Sequence, residues 1–177
     1  MANRVYLLGV DQDFFASDEP GLHQLLEAEY CLPVLWLSLY KKDDIRLYQQ
    51  IPLLLTSREQ ALANFDARRA ALAAFLGGSS DALLDQFRQF IEQNAFANYM
   101  VNTHELNMME DDGVFHGQLQ GYMDDLASIV EGSSVSRDLP LLLQADDGLT
   151  EYPYAGDAVP LCGFSYDLPL PWAPKAA

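Results

Sequence analysis

Apolar residues recur every three or four positions along four stretches of the chain, and each reads as a helix with one face turned inward. The longest runs from Arg58 to Leu76. There Leu62, Phe65, Leu72, Phe75 and Leu76 form the stripe, Ser57 with Gln60 matches a capping box, and Gly77 and Gly78 follow where a left-handed cap belongs. Ser79, Ser80 and Asp81 then cap a second helix striped by Leu83, Leu84, Phe87, Phe90 and Ile91 and extending toward Phe96, so the two make a helical hairpin. A third stripe, Leu119, Tyr122, Met123, Leu126, Ile129 and Val130, closes at Gly132. Leu22, Leu25, Leu26 and Tyr30 predict the fourth helix, starting near Ser17 or Asp18 and stopping between Cys31 and Pro33.

Strand signals lie between these stretches. Arg4 to Gly9 is a β-type run that suits a strand at the centre of a sheet. Pro33 to Tyr40 is read as a strand, although its length and period also fit a buried helical turn. Tyr99 to Met109 alternates strand formers with polar residues and is read as another strand. Ile51 to Thr56 is a short apolar run leading into the Ser57 cap. From Arg137 onward six prolines divide the chain, so the C-terminal part is expected to be irregular, with short strands such as Leu139 to Gln144. No period of 20 to 50 residues repeats and no long polar linker marks a boundary. The expectation is one α+β or α/β domain over residues 1–177, a small sheet packed with three to four amphipathic helices.

Composition supports a folded chain: half of the 177 residues are apolar, enough for one sizeable core. The two cysteines, Cys31 and Cys162, are too few for a disulfide framework or a thiolate zinc site and read as reduced thiols. With no signal-peptide pattern and no long apolar run, the expected location is the cytoplasm.

Charge changes the picture more. The net charge is minus 16, and residues 101–177 hold thirteen acids against two bases. Such a balance argues against binding nucleic acid or anionic membrane, both of which need clustered Lys and Arg. The acids gather as Glu110-Asp111-Asp112, Asp124-Asp125 and Asp146-Asp147. These, with Tyr152 and Tyr154 of the aromatic tail, are the candidate residues for meeting a basic protein, because opposite charge steers association and tyrosines supply contact area at low entropy cost.

Catalytic signatures are weak. His104-Glu105 opens like the zinc-protease HExxH, but Met108 stands where the second ligand belongs. Asp11 and Asp13 follow a strand, the place where α/β enzymes bind metal and phosphate. Together Asp11, Asp13, His104 and Glu105 define an alternative reading as a metal-dependent hydrolase. A dimeric adaptor associating through the helical hairpin is another. No phosphate loop, GxSxG or CxxC occurs, and no cofactor is expected.

The opening Met-Ala-Asn-Arg-Val-Tyr-Leu-Leu and the stretch from Ile51 to Phe75, IPLLLTSREQALANFDARRAALAAF, resemble small bacterial proteins encoded beside polymorphic toxins and secreted effectors. Those are proteins of immunity type. The resemblance implies a non-enzymatic role: stoichiometric inhibition of a cognate toxin by masking its active site.

Overall fold

Val5 and Leu7 point to one side of an extended segment and Leu8 and Val10 to the other, and all four are buried. A strand covered on both faces belongs inside a sheet. This strand, β1 (Arg4–Val10), sits between β2 (Leu22–Glu29) and β5 (Asn98–Asn102), and β4 (Ile51–Ser57) and β3 (Ile45–Tyr48) complete a five-stranded sheet of order β2-β1-β5-β4-β3. Every pairing between these strands is antiparallel, so the fold is α+β. The computed structural model describes residues 3–77, 80–134, 139 and 158–173.

Six α-helices and one 3-10 turn (Lys42–Asp44) accompany the sheet among the described residues, the α-helices being α1 (Val34–Leu37), α2 (Arg58–Leu76), α3 (Ser80–Gln93), α4 (His104–Asn107), α5 (Val114–Glu131) and α6 (Val159–Cys162). The long ones follow the sequence pattern. The Ser57 hydroxyl accepts from the Gln60 amide at 3.2 Å to start α2, and Gly132, at φ 70°, ends α5 in the left-handed conformation. Phe65 and Leu72 of α2, Leu84, Phe87 and Ile91 of α3, and Leu119, Met123 and Leu126 of α5 share one core with Val5, Leu7, Leu26, Leu54, Tyr99 and Val101 of the sheet. Removing a ring such as Phe87, wholly buried and 5.7 Å from Phe65, would cost about 3–5 kcal/mol. A smaller cluster, Leu8, Val10, Leu53 and Met100, covers the opposite face under Phe14.

Three sequence expectations are corrected. The fourth helix is strand β2, and its misleading spacing comes from a β-bulge. Leu7 pairs with Leu26 while Leu8 pairs with Gln24, so Leu25 is an extra residue that buries beside Leu26 and breaks the two-residue period. Pro33–Tyr40 is not a strand but contains the single turn α1. The whole run from Leu32 to Tyr40 is buried, so no polar face reveals its period. Its carbonyls are met from α2: Asn64 donates to Leu39 O at 2.9 Å, and the buried Arg68 guanidinium donates to Ser38 O at 2.8 Å and to Tyr40 O. The strand expected over Tyr99–Met109 ends at Asn102, whose side chain accepts from the His104 amide at 3.1 Å and turns the chain into α4.

The segment 158–173 returns to the far edge of β2. Phe164 exchanges backbone hydrogen bonds with Glu27 at 2.7 and 2.9 Å, Trp36 donates its indole N–H to Cys162 O at 2.7 Å, and the Trp172 ring packs 5.3 Å from Phe90. The strand expected over Leu139–Gln144 lies outside the described residues apart from Leu139, which is buried.

Candidate functional site

Between α4 and α5 the chain reverses over Met108–Gly113. Gly113 takes φ 81°, and the Val114 amide donates to Asp111 O at 3.0 Å. Glu110, Asp111 and Asp112 are all exposed on this turn, and among the described residues none of them is in an ion pair. Two of the acids precede the first turn of α5, where the helix dipole favours negative charge. Apolar side chains stand out beside them. Met108 is 72% exposed, Met109 50% and Val114 44%, unusual for residues of this kind in such close sequence.

The same turn forms one wall of a cleft of about 180 Å³, lined by Tyr30, Cys31 and Leu32 after β2, by Leu106, Met109 and Glu110, and by Phe115, Gln118 and Tyr122 of α5. Tyr30 holds φ 58° and donates its amide to Asn3 O at 2.9 Å, which fixes the chain at the mouth. Leu32, Leu106 and Phe115 are buried and make the floor. Glu110, whose Oε1 is 3.5 Å from Gln118 Nε2, stands at the rim.

The remaining sequence candidates are dispersed. Successive residues on a helix point about 100° apart, so the Asp124-Asp125 doublet is split. Asp124 is exposed and meets Lys42 Nζ at 2.8 Å, whereas Asp125 is buried and accepts from the Leu139 amide at 3.1 Å. Asp125 is therefore not a surface acid, a correction to the expected partner-binding set. Asp146, Asp147, Tyr152 and Tyr154 lie outside the described residues.

The acids proposed for metal chemistry do not converge. Asp11 pairs with His23 at 2.8 Å, and Asp13 accepts from the Phe15 amide at 2.9 Å to turn its own loop. Glu105 accepts from the Arg4 amide at 2.7 Å, at the opposite end of β1, and His104 is its neighbour on α4. The seven residues of β1 separate the two pairs by about 20 Å at ~3.3 Å per residue. Cys162 is wholly buried, which pushes its thiol well above its usual pKa, while Cys31 is half-buried in the cleft wall.

No family model, curated protein or solved structure matches the chain. Among the described residues, no helix is long and apolar enough to cross a membrane.

Two features escaped the sequence reading. Glu27 and Glu29 are buried on β2 with Arg4 3.6 Å from each, a charge group that holds the edge of the sheet and raises the Arg4 pKa, chiefly through Glu27. Their two-residue spacing was the available signal, hidden by the helical reading of β2. The cleft had no signal at all, since the wall formed by Tyr30, Cys31 and Leu32 is far in sequence from the other two.

Proposed function

We propose that the protein is a non-enzymatic acidic binding protein of immunity type, which inhibits a basic toxin by covering its active site. The observation that carries this reading is the α4–α5 turn, where Glu110, Asp111 and Asp112, in no ion pair among the described residues, stand beside exposed Met108, Met109 and Val114. Interfaces combine an apolar centre with a polar rim, and methionine adapts its shape to a partner. The surrounding charge adds speed: a field of minus 16 attracts a cationic partner and raises association rates by roughly 10- to 1,000-fold at low salt. A neutraliser of a toxin needs that speed.

The test is affinity capture of the tagged protein from its source cells, washed at low and then high salt, with the wild type beside the double variant Asp111→Lys, Asp112→Lys. One basic partner, released by salt and lost with the double variant, is the expected result. Capture of no partner, or equal capture by the reversed variant, overturns the reading. Asp124→Lys serves as the comparison, because Lys42 already neutralises that acid.

A further inference from the structure

We propose that Met108 and Met109 are a modification site for a neutral peroxide, and that their oxidation to sulfoxides weakens the hold on the basic partner. The second half rests on the reading of the protein as a binder of basic protein; the first stands on exposure and charge alone. Four methionines lie among the described residues, and the fold divides them in two. Met100, in the small cluster on the far face of the sheet, and Met123, in the main core, are each 2% exposed, whereas Met108 is 72% and Met109 50% exposed on the α4–α5 turn. A buried thioether meets an oxidant only when the structure around it opens. An exposed one reacts directly: a sulfur lone pair attacks one peroxide oxygen, the S–O bond forms as the O–O bond breaks, and the other oxygen leaves as water with both hydrogens. Sulfur gives up two electrons and the peroxide takes them. Charge selects the oxidant. Glu110, Asp111 and Asp112 follow directly in the chain and are in no ion pair among the described residues, so an anionic oxidant is repelled from these two sulfurs while neutral hydrogen peroxide is not. The product changes the surface: a sulfoxide is polar where the thioether was apolar, and an interface centre that must enclose an unpaired oxygen loses affinity. Methionine sulfoxide reductases reverse the change, which gives the turn two redox states.

The experiment treats the full chain with hydrogen peroxide, or with the anion peroxymonosulfate, and follows each methionine by peptide mass spectrometry, every rate being divided by that of N-acetyl-methionine amide in the same oxidant. With hydrogen peroxide, Met108 and Met109 are expected within about threefold of the free amide, and Met100 and Met123 at least about tenfold slower than either. With peroxymonosulfate at about 10 mM salt, the ratios at Met108 and Met109 should fall severalfold, recover toward the peroxide values at about 150 mM, and rise in the double variant Asp111→Lys, Asp112→Lys. Met100 or Met123 oxidised as fast as Met108, or equal ratios for the two oxidants at low salt, overturns the site. Capture from source cells then reads the consequence: peroxide-treated wild type should retain at least about tenfold less partner than untreated protein and regain it after treatment with the reductases. Met108→Leu, Met109→Leu keeps an apolar surface without sulfur and should capture partner equally before and after peroxide. Undiminished capture by the oxidised wild type, or an equal loss in the leucine variant, overturns the effect on binding. Capture of no partner by untreated protein removes the wider reading and that effect with it, whereas a captured partner with unselective oxidation removes the modification site alone.

Discussion

Single residues hold this fold together where the backbone has no regular partner. Arg68 is the clearest instance: a guanidinium inside the protein, drawn below its usual pKa by burial, donates to the carbonyls of Ser38 and Tyr40 that α1 leaves open. Arg68→Ala is expected to lower stability by about 2–4 kcal/mol, because two buried acceptors lose their donor. Both bonds come from Arg68 Nη1, and Arg68→Lys should recover less than half, since an ammonium is more strongly hydrated than a guanidinium and costs more to bury. Urea unfolding of the two variants measures this, and a loss under about 1 kcal/mol for Arg68→Ala would show that water replaces the side chain. Gly9 shows the opposite economy, a residue needed for what it lacks. A Cβ there would lie 2.2 Å from the Phe96 ring, so the ring rests directly on the strand backbone. The sequence could show neither the glycine's neighbour nor the arginine's carbonyls, because both contacts join segments distant in the chain.

At the scale of elements, legibility followed exposure. α2, α3 and α5 were readable because each has a wet and a dry face and a chemical start or stop, such as Ser57 and Gly132. β2 was not, because the bulge at Leu25 imitates helical spacing, and α1 was not, because complete burial erases period. The candidate site divides the same way. The acidic turn could be read from Glu110-Asp111-Asp112, but the apolar cleft behind it exists only once the end of β2 meets α5. The edge contact made by residues 158–173 is also tertiary in origin. Trp172→Ala should cost about 2–3 kcal/mol, since its ring packs against Phe87 and Phe90 and its N–H donates to Gly163 O at 3.2 Å. Hydrogen exchange should then report lost protection at the Glu27 and Phe164 amides well before the centre of β1. Protection lost equally everywhere would mean that this segment does not open as a separate unit.

For the whole molecule, charge and cohesion pull in opposite directions. Minus 16 on 177 residues repels itself, and the described ion pairs that answer it are mostly exposed ones such as Arg88–Asp66 and Arg69–Asp85, which solvent and salt screen. Raising sodium chloride from about 10 mM to about 150 mM shortens the Debye length from ~30 Å to ~8 Å. The melting temperature should therefore rise, by about 2–4 °C for each kcal/mol of repulsion removed in a chain of this size. Calorimetry at the two salt concentrations decides it, and a falling melting temperature would mean that the ion pairs outweigh the repulsion.

The return of residues 158–173 to β2 also sets an order of events during synthesis. Trp36 and Cys162 are 126 residues apart, so β1 and β2 leave the ribosome long before the strand-like partner of Glu27 exists. At roughly 5–20 residues per second, the edge of β2 stays open for several seconds or more. During that interval its unpaired amides and carbonyls can hydrogen-bond to any extended chain nearby. The buried acids Glu27 and Glu29, costly to enclose in the finished fold, are then charges on an open edge, and they keep nascent copies from pairing with one another.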